Sequence, residues 1–351
     1  MSRLLAFPYY PDNAWQDILY GAARDAGWQI QPIRGLSEIA EAEGAGTVLH
    51  LGWTTPIVQT AASVVDAVHA VEETRVLLDG FRNRGGRVLW TIHNVLPHEL
   101  NYVVPELSLA KMLVEVADVV HVMARNTAQL VRPFYPIDGA RIAAIPHPSY
   151  LGTYPEPPSR VEARAELGID VNAVLALAIG TIRPYKGIER LTAMSHLMDA
   201  PDELAIVGQF SGGLRPADVR GAVGPRCRIV DGYQDDRALS LWCSAADAMV
   251  LPYTNILNSG TLELAASFGL PAIVPPLPAF EELDPAWVRT VDFDANPGHA
   301  LDALHGLAGD EFARTAAIEH ARRHPPAAVS EEFRGLLNEL IERNGISRTS
   351  A

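Results

Sequence analysis

Ala173-Val-Leu-Ala-Leu-Ala-Ile-Gly-Thr-Ile-Arg-Pro-Tyr-Lys-Gly187 runs from an unbroken apolar stretch through a glycine into a short basic turn. An apolar run of this kind, closed by glycine, reads as a strand buried on both faces, the habit of parallel sheets. Helical spacing resumes after Gly187, so Arg183 and Lys186 leave the carboxyl end of a strand just ahead of a helix. Open parallel sheets bind their ligands at that end. The stretch therefore predicts an α/β chain whose sites lie on the loops that follow its strands.

The same alternation spreads outward on both sides. Ahead of the stretch, residues 3–7, 47–51, 87–92, 119–123 and 141–145 read as strands, and 15–26 and 61–82 as helices. Behind it, 204–207, 227–230, 248–251 and 272–274 read as strands, and 187–198, 236–244 and 261–268 as helices. Five prolines between 146 and 160 exclude a helix or a central strand there, which places a change of domain near residue 155. We expect two Rossmann-like, doubly wound domains, 1–155 and 156–310, facing a central cleft. A helical tail, 311–351, is expected to turn back toward the first domain.

Bulk properties narrow the classes. At 351 residues there is room for two cores of ordinary size. The net charge of −14 argues against a nucleic-acid binder, since phosphate backbones are held by basic surfaces. Charge is uneven: residues 1–150 carry 11 basic and 15 acidic side chains, net −4, and the rest carry 17 and 27, net −10. The first half is thus the better face for an anionic or membrane-borne partner. No apolar run reaches the length of about 20 residues that a spanning helix needs. Two cysteines, Cys227 and Cys243, are too few for a disulfide framework or a structural zinc site, and both read as buried small hydrophobes.

Three groups of residues carry chemistry. Arg183 and Lys186 can neutralise a diphosphate and the charge that grows on it as it leaves. The chain uses 26 arginines and only two lysines, so a lysine in this turn suggests that a compact point charge is needed. Loop 251–263 ends in Asn258-Ser-Gly-Thr261, where the N–H groups of a helix start would take an anion; an ordinary serine cap looks the same locally. In the first half, Thr91-Ile-His-Asn-Val-Leu-Pro-His-Glu-Leu100 follows another strand. His93, Asn94, His98 and Glu99 there offer a general base or contacts to sugar hydroxyls. Loop 8–13, with Tyr10, Asp12 and Asn13, holds the equivalent place after the first strand. Asp12 is a candidate base or else a turn residue capping the next helix. The Asp292-Phe-Asp294 triplet has the form of a metal-binding carboxylate pair, but such a triplet is common by chance and this one sits late in the second domain; the histidines of 93–98 lack the spacing of a helical metal site, and no metal ligand is assigned.

Taken together, the second half resembles the GT-B glycosyltransferases of the broad group-1 type. Ile182-Arg-Pro-Tyr-Lys-Gly187 is similar to their phosphate loop. Asp231-Gly-Tyr233, with Trp242-Cys-Ser-Ala-Ala-Asp-Ala-Met-Val-Leu-Pro-Tyr253, is similar to their nucleobase loop, helix and strand. Gly269-Leu-Pro-Ala-Ile-Val274 matches the strand after the phosphate helix. With Thr91–Glu99, the set is similar to the branch that holds the xanthan-assembly β-mannosyltransferase, which takes mannose from GDP-mannose. Many group-1 members carry a pair of glutamates eight positions apart. Here Asn255 stands eight before Glu263, and anchoring on Gly269-Leu-Pro brings Leu264 to the second place. That departure fits an inverting branch.

The resemblance implies a metal-independent, cofactor-free hexosyltransferase. Arg183, Lys186, Gly232, Tyr233, Asn258, Ser259, Gly260, Thr261 and Glu263 are its donor side, with Glu263 reaching the ribose if the helix register is shifted from that of the family. Tyr10, Asn13, Asn94 and His98 are its acceptor side, and Glu99, His93 or Asp12 its base. Its partners are a nucleotide sugar, with GDP-mannose preferred, and a carbohydrate, glycolipid or small-molecule acceptor. The expected setting is cytoplasmic, with room for peripheral attachment at the inner face of a membrane through the first domain. A sugar-nucleotide epimerase or hydrolase, and a catalytically silent binding subunit, are the rival readings.

Overall fold

Each apolar run read above as a strand is one in the structure, a computed structural model that describes residues 2–346. In the first unit these are β1 (Arg3–Phe7), β3 (Thr47–Leu51), β4 (Arg87–Ile92), β5 (Val119–Val122) and β6 (Ile142–Ala144), joined by an unforeseen β2 (Gln29–Pro32). All six pair in parallel, in the order β2-β1-β3-β4-β5-β6. The connections carry α1 (Ala14–Asp25), α2 (Thr55–Val58), α3 (Val64–Asn83), α4 (Val103–Val116) and α5 (Thr127–Val131). The order reverses between β1 and β3, and ligands of such sheets bind beside that point.

The second unit repeats the scheme. Its strands are β7 (Leu175–Ile179), β8 (Glu203–Gly208), β9 (Cys227–Asp231), β10 (Ala248–Val250), β11 (Ala272–Val274) and β12 (Val288–Thr290). They are parallel in the order β12-β11-β10-β7-β8-β9, reversing between β7 and β10. The helices are α6 (Arg160–Leu167), α7 (Ile188–Ser195), α8 (Pro216–Ala222), α9 (Asp236–Ala245), α10 (Gly260–Ser267), α11 (Gly298–Leu307) and α12 (Glu311–Arg323). The last helix, α13 (Pro326–Ile346), returns to the first unit and packs along α1. Unit 1 is thus residues 2–148 and 326–346, and unit 2 is residues 149–325.

Each core contains one polar feature that the apolar pattern hides. In unit 2, Asp247 is fully buried at the amino end of β10. It pairs with Arg160 and Arg164 and accepts from the Leu175 amide at 2.7 Å. In unit 1, a row of hydrogen bonds crosses the sheet from Tyr20 to His50 Nδ1 (2.7 Å), His50 Nε2 to Thr91 (2.7 Å), Thr91 to His121 Nδ1 (2.9 Å) and His121 Nε2 to the Ile145 carbonyl (2.9 Å). A carbonyl only accepts, so His121 Nε2 carries a proton. The pattern then runs one way: Tyr20 donates to His50, His50 to Thr91, and Thr91 to His121. Phe333 of α13 packs on both imidazoles. Burial lowers His50 to about 3 and His121 to about 4, so both stay neutral. Cys243 is buried as expected, whereas Cys227 is only partly so.

Candidate functional site

The donor-side residues of unit 2 gather where its strand order reverses. Residues 180–187 follow β7 and residues 251–260 follow β10, the two strands that flank the reversal. The turn Pro184–Lys186 closes on Gly187, whose φ of 71° suits glycine. A Cβ there would stand 2.0 Å from the Pro252 carbonyl oxygen, so no other residue lets the two loops come this close. The Thr254 amide donates to the Tyr185 carbonyl at 2.9 Å, and Arg190 donates to the carbonyls of Pro252 and Tyr253.

Lys186 and the start of α10 converge on one spot. A Cβ placed on Gly180 would lie 3.2 Å from Lys186 Nζ and 3.8 Å from Thr261 Oγ1. Burial, and then the neighbouring Arg183 guanidinium, lower Lys186 to about 8. Two cations pressed together at the head of a helix form a site that an anion would stabilise. Ser259 Oγ caps that helix, accepting from the Leu262 amide at 3.1 Å, and lies 3.1 Å from the Tyr253 hydroxyl. The local cap and the anion site are therefore one construction. Beside them, Gly208 ends β8 at φ 137°, with a Cβ position only 1.9 Å from the Gly180 carbonyl oxygen. Sequence reading passed over this bare floor. Gly232 and Tyr233 follow β9, with Tyr233 exposed at the surface.

Glu263 turns toward α12, where its Oε1 lies 3.2 Å from His320 Nε2, and Leu264 is buried in the core. The Asp292-Phe-Asp294 triplet is absorbed structurally as well. Asp294 pairs with Arg190, and Asp292 accepts from the amides of Asp294 and Ala295. Among the described residues no group of three or more His, Cys, Asp or Glu is placed to hold a metal ion.

The acceptor-side residues of unit 1 lie on the loops after β1, at the reversal point, and after β4. Asn13, rather than Asp12, caps α1, its Oδ1 accepting from the Gln16 amide at 3.1 Å. Asp12 is exposed. The Tyr10 ring meets Trp53 edge-on at 5.4 Å, which ties the loop after β1 to the loop after β3. His93 is stacked on Trp53 at 4.0 Å and touched by the edge of Trp15 at 4.5 Å. Burial lowers its pKa well below the usual histidine value, reinforced by His50, His121 and His147. His93 and Asn94 line a recess that also includes Glu106, a residue sequence reading missed. His98 and Glu99 are partly buried and lie outside that lining.

No protein-family model matches the chain. It is 30% identical over 292 residues to a GDP-mannose:glycolipid 4-beta-D-mannosyltransferase from Xanthomonas campestris pv. campestris, covering 81% of this chain and 77% of that protein. Among solved structures it is similar to a sucrose-phosphate synthase from Thermosynechococcus elongatus, with a TM-score of 0.74 and 18% identity over 98% of this chain and 100% of the other. It is likewise similar to Anabaena HepE in complex with UDP-glucose, with a TM-score of 0.73 and 12% identity over 97% and 100% of the two chains. Among the described residues no helix is long and apolar enough to cross a membrane.

Proposed function

The chain belongs to the group-1 type of GT-B glycosyltransferases, and from that premise we propose that it moves a hexose from a nucleoside-diphosphate sugar to a hydroxyl acceptor. The observation that carries this is the convergence of Lys186 Nζ and Thr261 Oγ1 on Gly180, beside Arg183, at the strand reversal of unit 2. A diphosphate leaving group needs its growing charge answered, and these cations with the amides of α10 answer it in advance. The reading needs no metal for that task. Gly232 and Tyr233 are assigned to the base of the nucleotide, and Asn258, Ser259 and Gly260 to the phosphate side.

Mannose from GDP-mannose is our preferred donor. The name of the mannosyltransferase relative supports it, and the UDP-glucose held by the Anabaena neighbour names the alternative nucleotide. Inversion fits the lack of a glutamate pair around α10. On the acceptor side we assign Tyr10, Asn13, Asn94 and His98. The burial that keeps His93 neutral also makes it a weak proton acceptor, which favours Glu99 and Asp12 as the base. The acceptor is a glycan, a glycolipid or a small molecule bearing a hydroxyl. We place the reaction in the cytoplasm, with the less acidic unit 1 as the side that would meet a membrane-borne acceptor.

The test is thermal stabilisation by GDP, UDP, ADP, dTDP and their sugars without added metal. A hundredfold excess over the dissociation constant contributes about 2.7 kcal/mol, an easily read shift. GDP and GDP-mannose are expected to lead. A response to no nucleotide sinks the assignment. Release of free sugar or of an altered sugar nucleotide, with no acceptor present, would favour a hydrolase or an epimerase.

A further inference from the structure

A shallow recess, largely open to solvent, lies past the carboxyl ends of β3 and β4 in unit 1. Its walls include Trp53, Thr54, His93, Asn94, Tyr135 and Glu106. Glu106 is 3% exposed and lies in the first turn of α4, where a helix start favours an anion. Thr54 Oγ1 donates to its Oε1 at 2.5 Å and Gln59 Nε2 donates to its Oε2 at 2.6 Å. These neutral donors are its hydrogen-bond partners, and no cation pairs with it among the described residues. Its charge also reaches Tyr135, whose hydroxyl is pushed up by burial first and by Glu106 second.

A buried carboxylate without a counter-cation costs stability; a glutamine would keep the Gln59 contact through its carbonyl oxygen and turn its own amide onto the Thr54 hydroxyl, which can accept. Each carboxylate oxygen has room for about two hydrogen bonds, so acceptor capacity is left over on a residue that lines the recess. That capacity can only receive protons. The lining combines the rings of Trp53, His93 and Tyr135 with the polar groups of Thr54 and Asn94, a composition that suits a pyranose with its apolar ring face and its hydroxyls. We infer that Glu106 accepts hydroxyl hydrogen bonds from a sugar ring bound in this recess, and so determines which acceptors unit 1 selects. The inference rests on reading the chain as a glycosyltransferase whose acceptor side is unit 1.

The experiment is saturation-transfer NMR on the full chain with methyl β-D-glucopyranoside, methyl α-D-mannopyranoside and cellobiose as probes. Stabilisation by GDP and UDP is recorded on the same samples. At least one sugar is expected to bind the wild-type protein. Glu106→Gln should weaken it about tenfold or more, the usual size for a lost hydrogen bond to a charged group, and leave nucleotide stabilisation unchanged. Equal sugar binding in both proteins overturns the inference, as does the absence of any sugar signal from wild type. Should Glu106→Gln fail to fold, Glu106→Asp carries the same test, because binding that ignores a retracted carboxylate also overturns it. A wild-type protein that answers to no nucleotide breaks the reading of unit 2 instead, a separate and distinguishable failure.

Discussion

Among the described residues two acidic side chains are buried, one in each unit, and their surroundings differ. Asp247 stands at the amino end of its sheet, held by Arg160, Arg164 and a backbone amide. Glu106 stands beside the carboxyl ends of the other sheet, held by a threonine and a glutamine, and it borders a cavity. The amino end of a parallel sheet meets no ligand, so a charge buried there must be balanced by the protein itself. At the carboxyl end the balance can be left to whatever binds. The same contrast holds more widely: unit 1 buries neutral imidazoles, whereas unit 2 buries ion pairs.

Acid is the strongest way to pull the two units apart. His50, His93 and His121 have folded-state values below the ordinary 6.5, so the unfolded chain binds more protons than the folded one in that window. Stability is therefore fully present above about pH 6.5 and falls as pH drops toward 3. Hydrogen exchange should show residues 2–148 and α13 losing protection first; simultaneous loss across residues 149–325 would erase the contrast. Next in size is Asp247→Ala, which strands buried Arg164 and should cost about 3–5 kcal/mol in denaturant unfolding. Glu106→Gln should cost less than about 1 kcal/mol; similar losses for the two would make Glu106 a structural residue like Asp247. The last effect is on binding rather than on stability, and it concerns Lys186. With Lys186 lowered to about 8, affinity for a nucleoside diphosphate should hold steady up to that pH and decline above it. Lys186→Ala should weaken binding about tenfold or more and remove that decline.

These features were unequally legible in the sequence. Eight strands stood out because they lie inside their sheets and are mostly apolar on both faces; of the four edge strands, β6 and β9 still show short apolar runs, whereas β2 and β12, with exposed or mixed patterns, were missed. Arg183 and Lys186 were legible because a strand end fixes where they must point. Helix α4 was not read at all: Val103–Val116 is apolar nearly all round, and Tyr102 provides no side-chain cap. Glu106 was hidden with it. His50 and His121 each interrupt an apolar strand, and that interruption was the available signal of a polar row within the core. Asp247, a charge set directly ahead of the apolar β10, was another. Asp12 is the residue that the sequence offers as a cap for α1, and the Gln16 amide instead meets Asn13 Oδ1, a choice that only the backbone geometry makes. The orientation of Glu263 toward His320 depended on where α12 packs, which no local pattern encodes.

The return of α13 to unit 1 also fixes an order of manufacture. Unit 2 has its last helix once residue 325 leaves the ribosome, and it can close while synthesis continues. Unit 1, though begun first, is finished last. Until α13 arrives, the groove that receives Phe333 stands open, with His50 and His121 facing water, and the amide of Ala22 lacks the Ser330 hydroxyl that it later meets at 2.8 Å. A nascent chain in that interval holds a completed second half and an unsealed first half, so unit 1 is the part most dependent on uninterrupted translation.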